Sequence, residues 1–255
     1  MNDEIEIRAD GAVRVVTLSR PDAYNAVNEN MHYGLSTLWA RLADDPGARS
    51  IVLTGAGRAF CAGGDQGWMT VLREDANRRR EIMAEAAAIV TGMVRCPLPI
   101  VAAVNGPAVG LGCTLAVLSD LVVMSERAYL SDPHVSIGLV AGDGGAVVWP
   151  LAVGPHRARE LLYLGDRVDA ATAHRLGVAN RVVPAEALLG EAMGLARRLA
   201  EQPAQALRDT KRAINLHLEA ALETVLPFGI EAETASFTTD EHRDALAAMV
   251  ASRRG

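Results

Sequence analysis

The chain has 255 residues, half of them hydrophobic, which is enough for one sizeable core with an appendage. Its formal net charge of −6 sets the bulk field against nucleic acid and anionic membranes, and an anionic substrate needs a local cationic pocket. Cys61, Cys96 and Cys113 are odd in number and widely spaced, which argues against a disulfide framework or a thiolate metal site and fits a reducing cytoplasm.

The first residues are charged and lack a signal-peptide apolar stretch, so a cytoplasmic protein is expected. Val13 to Leu18 is short and β-branched, and Arg20-Pro21 ends it as a strand. Glu29 to Ala43 places Met31, Leu35, Leu38 and Leu42 at helical spacing behind Asn28, a natural N-cap. Ile51 to Thr54 reads as a buried strand, residues 75–94 as a long helix and Ile100 to Val104 as another strand. The run from Pro99 to Val109 is too short and too interrupted to span a bilayer. Leu121–Met124 and Tyr129–Ser131 read as short strands. From Pro155 the pattern turns helical, with helices predicted over 170–176, 185–200, 204–226 and 241–252. Strands alternating with helices, then helices alone, argue an α/β core over residues 1–194 and a helical region over 195–255.

No H-E-x-x-H, G-x-S-x-G or P-loop signature is present, and the six histidines have no metal-ligand spacing. His32, His156, His174, His217 and His242 have no chemical context, and Cys61 reads as packing. The positive signal is a pair of glycine-rich loops, each following a buried strand. One runs from Gly57 to Asp65 through Gly63 and Gly64; the other runs from Asn105 to Cys113 through Gly110, Leu111 and Gly112. Glycine lets main-chain N–H groups approach a ligand, and the second loop leads into a helix whose N-terminus carries unpaired donors. Such donors suit a carbonyl that becomes an oxyanion, although spacing alone favours tight turns without function.

The order Leu18-x-Arg20-Pro21-x-x-x-Asn25-Ala26, Ile51-Val52-Leu53-Thr54-Gly55, Phe60-Cys61-Ala62-Gly63-Gly64-Asp65 and Pro99 to Gly106 resembles the enoyl-CoA hydratase/isomerase (crotonase) family. Pro133, Gly138, Gly144-Gly145 and residues 164–178 continue the pattern over nearly the whole chain. The resemblance implies a spiral of β-β-α turns with C-terminal helices that build a homotrimer or a dimer of trimers. It implies an acyl-CoA substrate, with coenzyme A as part of the substrate and no tightly bound cofactor. It places the oxyanion donors at the N–H groups of Ala62 and Leu111. Gly64, Asp65 and Thr114 fall at the acyl pocket, with Asp65 read first as a helix cap, while Trp68, just after the first loop, reads either as pocket lining or as core packing. Arg20 and Arg58 become candidates for the coenzyme A phosphates.

Two departures stand out. The family's two catalytic glutamates fall here at Thr114 and His134, and a threonine cannot take a proton from water at neutral pH. Asp143 appears nine residues after His134, in a glycine-rich stretch that borders the family's acyl pocket. A histidine beside a carboxylate supplies general acid/base chemistry near neutral pH. The spacing is similar to that of 6-oxocamphor hydrolase, a crotonase relative that cleaves a β-diketone without coenzyme A. The first expectation is an acyl-CoA lyase or isomerase using His134 and Asp143. The second is a retro-Claisen C–C hydrolase of a β-dicarbonyl, and the third a non-catalytic acyl-CoA binder.

Overall fold

The computed structural model describes residues 4–252, apart from the side chains of 249, 250 and 252. Residues 1–3 and 253–255, the outer ends of the two expected regions, lie outside the described residues.

The chain begins with a hairpin of β1 (Ile5–Asp10) and β2 (Val13–Leu18), antiparallel with Ile5 opposite Leu18. The next strands, β3 (Ser50–Gly55) and β4 (Ile100–Val104), join parallel to β2 and to each other. All of β4 and most of β2 and β3 are buried, as a parallel sheet covered on both faces requires. A short β5 (Ala108–Val109) precedes β6 (Leu121–Ser125), β7 (Tyr129–Ser131), β8 (Val168–Asp169) and β9 (Arg181–Val183). The large sheet runs β1-β2-β3-β4-β6-β9, and β5-β7-β8 form a small second sheet. Isolated bridges from Val27 to Gly64 and from Cys61 to Ala108 extend the second layer. Each turn of chain thus leaves a strand in the large sheet, touches the second layer and returns through a helix, which is the expected β-β-α spiral.

The helices are α1 (Glu29–Ala43), α2 (Gln66–Glu74), α3 (Ala76–Arg95), α4 (Leu111–Leu118), α5 (Gly145–Val153), α6 (Pro155–Leu164), α7 (Ala170–Arg175), α8 (Leu188–Ala200), α9 (Ala204–Ser236) and α10 (Asp240–Ser252). Asn28 caps α1 by accepting from Met31 N at 2.9 Å, as expected. Asp65 caps α2 by accepting from Gly67 N at 3.0 Å, and Asp75 caps α3 in the same way from Asn77 N at 2.9 Å.

The boundary expected after residue 194 falls inside α8. Leu188, Ala192 and Ala196 of that helix pack on Val52, Val101 and Val123 of the large sheet, so α8 belongs with the core. The helix predicted to stop at 226 continues ten residues further, through Pro227 and Gly229. Its extension is held by packing: a Cβ on Gly229 would stand 3.0 Å from Gly142 Cα, and one on Gly142 would meet Gly229 O at 2.1 Å. β1 was not predicted because its alternating charged residues mark an edge strand with one covered face. Among the described residues no helix is long and apolar enough to cross a membrane.

Candidate active site

The two glycine loops lie against each other. Val109 N donates to Cys61 O at 2.9 Å, and Gly110 N to Ser131 O at 3.0 Å. Gly63 and Gly110 adopt positive φ, 81° and 54°, which favours glycine, and their backbones are in contact: a Cβ on Gly63 would stand 3.7 Å from Gly110 Cα. The peptide N–H groups that follow belong to Gly64 and Leu111. Neither has an acceptor among the described residues, and Leu111 is the first residue of α4, where the helix dipole favours negative charge. Ala62 differs from expectation. Its N–H donates to Tyr24 O at 3.1 Å, so the free donor of this loop is Gly64, two residues on.

Beneath the two amides lies a cavity of about 120 Å³, comparable to the ~150 Å³ space that holds a benzene ring. Its apolar wall includes Met83, Leu72, Ile137, Leu139 and Phe237. Ala62, Gly64, Trp68, Leu111, His134 and Asp143, all expected at the site, line it together. His32 and Glu233 line it too, and neither was expected.

His134 follows β7 and opens a short 3-10 turn, Val135–Ile137, with its ring buried against the second loop. A Cβ on Gly110 would stand 3.7 Å from His134 Cε1, which puts the ring beside the Leu111 amide. Its Nδ1 lies 2.5 Å from Asp132 Oδ1, so the carboxylate holds the proton on Nδ1 and leaves Nε2 for the cavity. Nε2 lies 3.6 Å from Asp143 Oδ2 and 4.0 Å from Glu233 Oε1. Glu233 arrives from α9, one turn past the Gly142–Gly229 contact, and its Oε2 accepts from Gly142 N at 3.1 Å. Asp143 Oδ1 and Asp132 Oδ2 are buried without a partner.

The electrostatics follow from this crowding. Burial opposes charge on His134, but Asp143, Asp132 and Glu233 outweigh it and hold the imidazolium well above the ordinary histidine value. Burial pushes the Asp143 carboxyl up, with His134 pulling against it. Burial and then the charge of Asp143 push Glu233 well above the ordinary carboxylate value. The cluster therefore retains protons at pH values where free carboxylates have lost them, and it places a proton acceptor and a proton donor within 4.0 Å of each other. Burial pushes the Cys61 thiol up to about 12, which leaves it no role as a thiolate and agrees with a packing residue.

Four expected contacts lie elsewhere. Thr114 is buried behind Asp143, where a Cβ on Gly144 would meet its Cγ2 at 2.6 Å, and it does not line the cavity. Arg20 is engaged within the protein: its Nε lies 3.1 Å from Glu4 Oε1 and its Nη1 3.3 Å from Asp65 Oδ2. Arg58 stacks its guanidinium 4.2 Å from the centre of the Tyr24 ring. Asp65 caps α2 and pairs with Arg20, away from the cavity lining. Asp132 was legible as Asp-x-His at the end of a strand; Glu233 had no local signal.

A β-β-α spiral with paired loop amides above a histidine–carboxylate cavity defines a crotonase-fold protein. The family described as enoyl-CoA hydratase/isomerase matches residues 8–254, and the chain belongs to it. The "Probable enoyl-CoA hydratase echA8" of Mycobacterium tuberculosis is 32% identical over 98% of this chain and 96% of the relative. An enoyl-CoA hydratase/isomerase from Mycobacterium paratuberculosis superposes with a TM-score of 0.94 at 49% identity, covering 96% of this chain and 98% of that one. A β-diketone hydrolase from the cyanobacterium Anabaena sp. PCC 7120, bound to (S)-3-oxocyclohexyl acetic acid, superposes with a TM-score of 0.86 at 26% identity, covering 92% and 94%.

Proposed function

We propose that this protein is a hydrolase that cleaves the C–C bond of a β-dicarbonyl compound. The observation that carries the reading is the position of His134, beside the free amide of Leu111 with Nε2 facing the cavity. A base placed there delivers water to the carbonyl carbon whose oxygen the two amides hold.

His134 Nε2 takes a proton from water while the water oxygen bonds to the carbonyl carbon. The carbonyl oxygen becomes an oxyanion held by the N–H groups of Gly64 and Leu111, each donor contributing about 10²- to 10³-fold in rate. The oxyanion collapses to a carboxylic acid, and the C–C electron pair leaves as an enolate of the second carbonyl. Asp143 gives its proton to that carbon, and His134 returns its proton to Asp143 across the 3.6 Å gap. Glu233 keeps a second proton next to the pair. A carbon leaving group needs this acid, and the carboxyl-rich side of His134 supplies it. The ligand of the Anabaena hydrolase carries a ketone and a carboxylate, the two groups such a cleavage leaves. Arg20, one of the two expected phosphate contacts, is engaged by Glu4 and Asp65.

The second reading is hydration or isomerisation of an enoyl-CoA, favoured by the family match and by the hydratase relatives. It uses the same amides and acid/base pair, with water added at the β carbon. Incubation with cyclic 1,3-diketones and with 2-enoyl-CoA thioesters separates the two. Keto-acid release without coenzyme A, abolished in His134→Ala, supports the hydrolase. Turnover of enoyl-CoA alone overturns it. The expected homotrimer or dimer of trimers remains part of this proposal; Ile214, Leu216 and Phe228 are exposed on α9, and sedimentation measures the assembly.

A further inference from the structure

A second histidine opens onto the same cavity. His32 lies in the first turn of α1, 3% exposed, and lines the cavity wall. Its Nδ1 is 2.8 Å from Glu85 Oε2 on α3, and its ring centroid is 5.1 Å from that of Trp68 on α2. Among the described residues no protein group meets Nε2, so the ring has one nitrogen fixed and the other free, as His134 has. Three elements thus hold an imidazole in place without using its second nitrogen.

We infer that His32 binds the oxygen of the second carbonyl, the one water does not attack. This rests on the β-dicarbonyl reading above. Cleavage of such a substrate places negative charge on two oxygens in turn. The first is the attacked carbonyl, served by Gly64 and Leu111. The second is the enolate oxygen, two carbons away, which those amides do not also serve. Paired with the Glu85 carboxylate at Nδ1, His32 presents Nε2–H to this oxygen. The electron pair of the breaking C–C bond then ends on an oxygen facing a fixed donor, while Asp143 protonates carbon. Asp143 also feels the charge of His32, which places the two side chains within electrostatic reach. The inference makes the site selective for compounds with two carbonyl oxygens in 1,3 relation over those with one.

The test pairs two substrates and one binding measurement. His32→Phe is expected to lower kcat/KM on a cyclic 1,3-diketone by about 100-fold, the effect of losing one fixed donor, and to leave a single-carbonyl activated ester within about threefold. His32→Gln, which keeps an N–H donor, is expected to recover part of the loss. Equal loss on both substrates, or no loss on the diketone, overturns the inference. Calorimetric titration with 5,5-dimethylcyclohexane-1,3-dione gives a readout independent of turnover, with circular dichroism to show that each variant is folded. Binding weakened at least about tenfold in His32→Phe supports the anchor even where no diketone is hydrolysed, an outcome that would sink only the hydrolase reading. Absence of binding by the wild-type protein, or unchanged binding in the variant, overturns the anchor.

Discussion

Gly229 of α9 rests against Gly142, with the backbones so close that a Cβ on Gly142 would fall 2.1 Å from Gly229 O. Four residues later on the same helix, Glu233 reaches His134. Gly142→Ala must therefore push α9 outward. Overpacking of this kind costs about 1–3 kcal/mol, and withdrawing Glu233 from the cluster lowers kcat by up to about 10²-fold. Thermal unfolding and steady-state kinetics on one preparation check both.

Asp132 orients His134 through the 2.5 Å contact at Nδ1. Asp132→Asn keeps the size but replaces the carboxylate with a neutral amide whose NH2 can face Nδ1 and fix the wrong tautomer. A loss of about 10²- to 10⁴-fold in kcat is expected, close to that of His134→Ala, with KM nearly unchanged. A double variant no worse than either single one shows that the two act as a unit.

Leu111 tests the amide apart from its side chain. It is the first residue of α4, where proline fits a helix but brings no N–H. Leu111→Pro is expected to lower kcat by about 10²- to 10³-fold, and Leu111→Gly to stay near wild type. Helical content by circular dichroism separates this from loss of the helix.

The pH dependence has a definite sign. His134 holds its proton more tightly in the folded protein, so its contribution is present below the ordinary histidine value and is lost as pH rises through the folded one. Asp143 and Glu233 also bind protons more tightly when folded, so they too make stability fall as pH rises above the ordinary carboxylate range. The midpoint of thermal unfolding is expected to decline as pH rises above the ordinary histidine value, less steeply in Glu233→Gln. The rate kcat/KM is expected to pass through a maximum with pH, because His134 must be free to accept a proton while Asp143 still holds one to give.

Much of the site was legible because its parts are local. Both loops follow buried strands, and His134 and Asp143 stand nine residues apart on one connection, so motif order was enough to find them. The donor of the first loop was misplaced by two residues, because which amide is free depends on Tyr24 O, supplied by a different turn of the chain. Arg20 offered charge but not its partners, and Glu4 and Asp65 engage it, while Arg58 stays exposed over the Tyr24 ring. His32 looked isolated because Glu85 and Trp68 come from other helices. Glu233 was invisible for the strongest reason: Pro227 and Gly229 read locally as a helix end, while tertiary packing carries α9 past both.

The extended α9 has a further meaning. The spiral turns hold the imidazole and both main-chain donors, yet one of the protons beside that imidazole is carried in on a side chain from outside them. A protein built this way can retune the protonation of its acid, Asp143, by altering one tail helix while the carbonyl grip stays intact. Chimeras that graft residues 204–252 onto a related spiral would therefore transplant chemistry without rebuilding the scaffold.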